Sequence, residues 1–199
     1  MGQRSQIYVR YEVEGEKKLV ARYFQWNYGE RMISRARYTM DWLKKTREYL
    51  SFENKKIVHI LETNFDIVDC VESLDIMQEY NDYAKEEGED TFKDAIMSED
   101  NNDGILFIDV LTDKIKYGFL DWKPNTDHVM TARKYMDFDM KGWNKRDHSV
   151  LDKEEYTTCI RNIKAIDCDE NHELMTSEEI EEFINYDYSA QLTEYKKEA

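Results

Sequence analysis

The stretch "IYVRYEVEGEKKLVARYFQW", residues 7–26, decides the fold. In its first limb Ile7, Val9, Tyr11 and Val13 alternate with Tyr8, Arg10 and Glu12, the period of two that marks a half-buried strand. Gly15 gives "EGEKK" a turn, and "LVARYFQW" resumes the alternation with β-branched and aromatic residues. An antiparallel hairpin of 7–13 with 19–26 is therefore expected.

After "NYGE" the period changes. Ile33, Ala36, Met40, Leu43 and Leu50 recur at helical spacing, with Arg31, Arg35, Arg37, Lys44, Lys45 and Arg47 between them, which predicts an amphipathic helix over 30–50 with a basic outer face. Residues 55–83 read as mostly helical, although "DIVDCVESLDIMQEY" fits either period. "KEEGED" and "SEDNNDG" are polar breaks. "GILFIDVLTDKIKYGFLDW" then gives two β-rich runs about Thr112 and Asp113, a second hairpin over 105–120. A helix capped by Thr126 or Asp127, with Val129, Ala132 and Met136 inward, follows Pro124. The last unit is read as a helical "LDKEEYTTCIRNI", a strand "KAIDC", a turn "DENH", a return "ELM", and a helix opened by a Thr176–Glu179 capping box. These elements predict one α+β domain over 1–199, an antiparallel sheet of two hairpins packed against amphipathic helices.

With 41% apolar and 36% charged residues, the chain is too apolar to remain disordered despite a net charge of -15. It shows no signal-peptide pattern and no apolar run long enough to span a membrane, and Gln6 stands where a myristoylation signal needs Ser or Thr. Cys70, Cys159 and Cys168 form no C-x-x-C spacing, so a reducing cytoplasm is expected, with no disulfide framework. The four histidines, at 59, 128, 148 and 172, form no metal-binding pair. Charge is uneven: residues 1–56 hold 13 basic against 7 acidic side chains, a net of +6, so the remainder carries -21. That asymmetry fits either a basic helix packed on an acidic rim within one domain, or an acidic face for a basic partner.

Residues 167–178 come close to a calcium loop. Asp167, Asp169, Asn171, Leu174 and Glu178 occupy the positions of three oxygen ligands, the apolar residue and the closing carboxylate. His172, however, replaces the turn glycine, and the following apolar residue is Ile180, one place late. No metal site and no cofactor are expected. A second near-match, "EDNNDGILF", has Gly104 in place but ends on Val110 where the closing Glu belongs. No nucleophile elbow, phosphate loop or dinucleotide fingerprint occurs. The basic helix, with Tyr23, Phe24, Trp26, Tyr38 and Trp42 about it, raises nucleic-acid binding, but a pI of 4.7 and the acidic remainder oppose it.

The opening Met1, Gly2, Arg4 and Ser5 leading into "IYVRY", then "ARYFQWN" and a helix, resembles a loose group of small phage and mobile-element proteins that begin M-G-x-R-S or M-G-x-R-A. The likeness covers about 45 residues, and "NYGERM" replaces the group's usual G-Y-P-like turn. It implies an origin and a hairpin-helix start, without a mechanism. Two functions are expected from these readings. The first is a non-enzymatic acidic interaction protein in the host bacterial cytoplasm, binding and inhibiting a basic nucleic-acid-handling or defence protein through Glu178, Glu179, Glu181 and Glu182. The alternative is an anion-binding domain or enzyme with its site at Arg4, Trp26, Asn27, Arg31 and Arg35.

Overall fold

A computed structural model of the chain describes residues 4–47, 52–63, 73–77, 104–121, 126–139, 153–188 and 190–191. The first hairpin pairs β1 (Arg4–Val13) with β2 (Glu16–Gln25) in antiparallel register, Val13 opposite Glu16. Between them Glu14 and Gly15 take φ of 55° and 82°, the double positive φ of a two-residue turn whose twist matches the strands. α1 (Glu30–Arg47) and α2 (Asn54–Glu62) follow, then β3 (Ser73–Asp75), which pairs with β2. The expectation of helix over 55–83 holds for α2 and fails at β3. The rest of that segment falls largely outside the described residues, as do the breaks at 85–90 and 98–103.

The second hairpin is β4 (Ile105–Asp109) with β5 (Ile115–Leu120), and the order of the described six-stranded sheet is β3-β2-β1-β4-β5-β6. This sheet is mixed, which corrects the antiparallel expectation. β2 already occupies one edge of β1, so β4 adds to the other edge after a long excursion, and it runs parallel to β1 from Gln6–Ile105 to Arg10–Asp109. β6 (His172–Leu174) likewise runs parallel to β5.

Being central, β1 is covered on both faces, so Tyr8 and Arg10 are as buried as Ile7 and Val9. One face of the sheet, with Ile7, Val9, Phe24, Leu106 and Phe119, packs under Met32, Ile33 and Met40 of α1. α3 (Ala132–Asp139) and α4 (Lys153–Asp167) complete that layer through Tyr135, Met136, Ile163 and Ile166. The other face, with Tyr8, Leu19, Ala21, Phe107 and Leu120, is covered by Ile180, Phe183 and Ile184 of α5 (Ser177–Asn185) and by Tyr188.

Three local expectations change. Thr126 and Asp127 do not cap a helix. They begin a one-turn 3-10 segment, after which Met130 exchanges backbone hydrogen bonds with Phe119 and α3 starts only at Ala132. Residues 164–167 are the last turn of α4 rather than a strand, because Cys159, Ile163 and Ile166 keep the helical period inward. The "ELM" return therefore has no antiparallel partner there, and β6 pairs with β5. The Thr176–Glu179 capping box forms as expected, at 2.9 and 3.3 Å.

Candidate functional site

β2 leaves the sheet at Gln25, and the chain turns into α1 through Trp26 at φ 62° and Gly29 at φ 50°. A bulky residue with positive φ is strained, and this one is also 46% exposed. Asn27 is fully buried within the turn. Its amide nitrogen donates to Ser5 Oγ at 2.9 Å, and its Oδ1 accepts from Arg35 Nε at 3.0 Å. Arg35 is itself buried: its guanidinium donates to the carbonyls of Leu61 and Thr63 at the end of α2 and lies 4.8 Å from the Phe24 ring. Burial pulls the proton affinity of Arg35 down to about 10, with Glu62 opposing the fall and Arg31 adding to it. Asn27 and Arg35 thus join β1, β2, α1 and α2 and offer little to a ligand. Arg31 donates to the Trp26 carbonyl at 2.9 Å and stands over Tyr28, while Arg4 lies opposite Gln25 at the start of β1. Of the five candidate ligand residues, Trp26, Arg31 and Arg4 keep solvent exposure.

The four candidate glutamates are divided by the helical period. Glu179 and Glu182 face the sheet. Glu179 pairs with Lys116 on β5, and Glu182 accepts from Arg10 at 2.6 Å and Lys17 at 2.9 Å. Burial opposes ionisation of both, but these cations outweigh it and hold both carboxyls below the usual range. Glu178 and Glu181 point outward. Glu181 accepts from Thr126 at 3.1 Å, and Glu178 is fully exposed, its carboxyl lowered by its own backbone N–H and by Thr176. Among the described residues neither is paired with a lysine or arginine.

The near-calcium loop has the order helix, loop, short strand, helix, yet its carboxylates turn elsewhere. Asp167 accepts from the backbone N–H groups of Ala132 and Arg133, both at 2.9 Å, and from Tyr117 Oη at 2.8 Å. It therefore caps α3 across the fold. Asp169 accepts from Lys44 Nζ at 2.9 Å and from the Asn171 backbone, and despite burial these bonds hold its carboxyl well below the ordinary range. His172 is buried with Nδ1 3.1 Å from the Ile166 carbonyl. No group of three His, Cys, Asp or Glu side chains converges on a metal position among the described residues.

One constellation has little signature in the sequence. Arg10 and Asp109 are in-register neighbours on parallel strands, and their side chains are only 4% and 6% exposed. Arg10 donates Nε and Nη2 to Asp109, Nη1 to Glu182, and lies 4.5 Å over the Phe183 ring. An arginine flanked by Val9 and Tyr11 in β1 and an aspartate closing the apolar run of β4 were the available hints, but pairing them requires knowing that β1 and β4 are adjacent and parallel.

The outer face of α1 carries Arg31, Arg37, Lys44, Lys45 and Arg47 as expected, with Arg35 alone turned inward, but much of this charge has partners within the fold. Lys45 alone is exposed there, while Arg37 pairs with Asp41, Lys44 with Asp169, and Arg47 donates to the carbonyls of Val110 and Asp113. Comparison with protein-family models, with curated proteins and with solved structures finds no match. Among the described residues no helix is long and apolar enough to cross a membrane.

Proposed function

We propose that this chain is a non-enzymatic interaction protein of phage or mobile-element origin that presents an acidic surface to a basic protein of the bacterial cytoplasm, there to inhibit a nucleic-acid-handling or defence component. The division of α5 carries this reading: Glu179 and Glu182 fasten the helix to the sheet, which leaves Glu178 and Glu181 as an outward acidic edge. Charges of this kind steer encounter with an oppositely charged partner more than they set affinity. The test is Glu178→Lys with Glu181→Lys. Its predicted effect is a slower, steeply salt-dependent on-rate for the basic protein captured from host lysate, with only a small fall in melting temperature from the lost Thr126 contact and the reversed charge at the helix N-terminus. A variant that associates as fast as the parent removes this surface from consideration.

A second reading rests on the strained, exposed Trp26 beside Arg31. Strain of this kind collects at ligand sites, and an anionic ligand, bound with or without turnover, would meet Trp26, Arg31 and Arg4 there. Calorimetric titration with nucleotides and inorganic phosphate, on the parent and on Arg31→Ala, distinguishes it from the first reading.

A further inference from the structure

We infer that α5, together with Tyr186, Tyr188 and Gln191, is a strap that opens as one unit and bares the Tyr8–Phe107 face of the sheet while the α1 side stays folded. Its fastenings cross the sheet in order. Glu179 reaches Lys116 on β5, Glu182 reaches Arg10 on β1 and Lys17 on β2, Lys17 stands 4.7 Å over the Tyr186 ring, and Gln191 holds β2. This last contact is unusual in form. The Gln191 side-chain amide accepts from the Leu19 N–H at 2.8 Å and donates to the Leu19 carbonyl at 2.6 Å, so a single side chain does what a neighbouring strand would do. Among the described residues β3 pairs with Arg22, Tyr23 and Phe24.

Every polar fastening between strap and sheet among these is made by a side chain, whereas β1, β2, β4 and β5 are held by continuous backbone ladders. α5 has nine residues, too few to persist as a helix away from its support, so detachment and unwinding coincide. Its apolar anchors, Ile180, Phe183 and Ile184, lie along one stripe, while Glu178, Glu181, Glu182 and Asn185 are exposed. α1, on the opposite face, has one exposed residue in eighteen; α4 beside it has six exposed of fifteen, so what sets α5 apart from α4 is its shortness and its place on the face away from α1, α3 and α4 rather than its exposure. A segment with one-sided burial and side-chain fastenings belongs to the low end of the local stability range. Once Glu182 is lost, Arg10 keeps Asp109, but Lys17 keeps no carboxylate from the strap. No partner on Glu178 and Glu181 is needed for the strap to open.

Hydrogen exchange read by mass spectrometry on the full chain tests this at pH 7.5. Amides of 180–188 should exchange about tenfold faster than those of 157–166 in α4, and Glu182→Gln should accelerate 180–188 several-fold further while leaving 157–166 unchanged. Gln191→Ala, which removes the far fastening without touching a charge, should act in the same direction. Equal exchange of the two segments in the parent, or joint acceleration of both in either variant, overturns the inference.

Discussion

Asp109→Ala is the substitution for which the structure gives the largest worked effect. Asp109 receives Nε and Nη2 of Arg10 in a site where both side chains are nearly dry, and its other oxygen accepts from the Leu111 N–H at 2.9 Å. Removing one partner of a buried ion pair costs about 3–5 kcal/mol, because the remaining charge is left without compensation. Here Glu182, with a side chain 48% exposed, still reaches Arg10, which places the effect near the lower end, about 3 kcal/mol. The orphaned Leu111 N–H adds about 1 kcal/mol. For a chain of this size a loss of about 4 kcal/mol lowers the melting temperature by roughly 8–16 °C. Urea unfolding followed by tryptophan fluorescence measures the same quantity at constant temperature. The double variant Arg10→Met with Asp109→Leu replaces the pair by apolar groups and should lose less than Asp109→Ala alone, since buried pairs contribute little net stability over apolar isosteres. An Asp109→Ala loss below about 1 kcal/mol would refute the reasoning, as would a double variant less stable than the single one.

Three further outcomes are expected. Gly118→Ala places a Cβ 2.7 Å from Val129 Cγ1 and 3.3 Å from Ile180 Cδ1, so it should destabilise by about 1–3 kcal/mol in the same urea assay, and an unchanged midpoint would show that Val129 yields freely. Glu179 and Glu182 have folded proton affinities below their unfolded values, so their contribution is present above the ordinary glutamate range near about pH 4.3 and is lost as pH falls through the folded values. The urea midpoint of the parent should drop more steeply below about pH 4.5 than that of Glu179→Gln with Glu182→Gln, and parallel curves would contradict the assignment. Calcium at millimolar level, compared with EGTA, should leave the melting temperature unchanged, because Asp167 and Asp169 are engaged by α3 and Lys44. A reversible rise of several degrees would restore the metal reading.

What the sequence disclosed is what local chemistry encodes. The Glu14–Gly15 turn, the helical period of α1, the strands about Thr112 and the reciprocal Thr176–Glu179 cap all depend on residues within a few places of one another. Several of the misreadings originate in distant partners, whereas that at 164–167 misses a local helical period carried by Cys159, Ile163 and Ile166. α3 begins at Ala132 because Thr131 Oγ1 accepts from the Lys134 N–H at 3.2 Å while Asp167, 35 residues away, receives the first two N–H groups; the Thr131 cap is within reach of a local reading, and the Asp167 cap is not. β1 reads as half-buried because Arg10 and Tyr8 have polar tips, yet Arg10 finds Asp109 and Tyr8 Oη finds Gln6, so both are buried without an unmet polar group at those tips. The candidate sites follow the same pattern. Asn27 and Arg35 drew notice for their chemistry, and that chemistry is consumed in joining Ser5 to Leu61.

The uneven charge of the chain is partly an internal arrangement. Of the 13 basic residues in the first 56, Lys18, Arg37 and Lys56 pair with Glu16, Asp41 and Glu53 nearby in sequence, whereas Arg10 meets Asp109 and Glu182, Lys17 meets Glu182, Arg22 meets Glu62 and Asp75, and Lys44 meets Asp169, so part of the N-terminal positive charge is received by carboxylates from the acidic remainder. Pairing of this kind draws strands and helices far apart in sequence into one register, and it consumes acidic groups that would otherwise face solvent. It cannot consume all of them, because basic residues number 28 against 43 acidic ones. The excess must lie where no cation is needed, at exposed positions such as Glu178 and Glu181 on the outer edge of α5. The same helix is therefore acidic for two reasons: its inner glutamates are fastenings, and its outer ones are the surplus that a basic partner would meet.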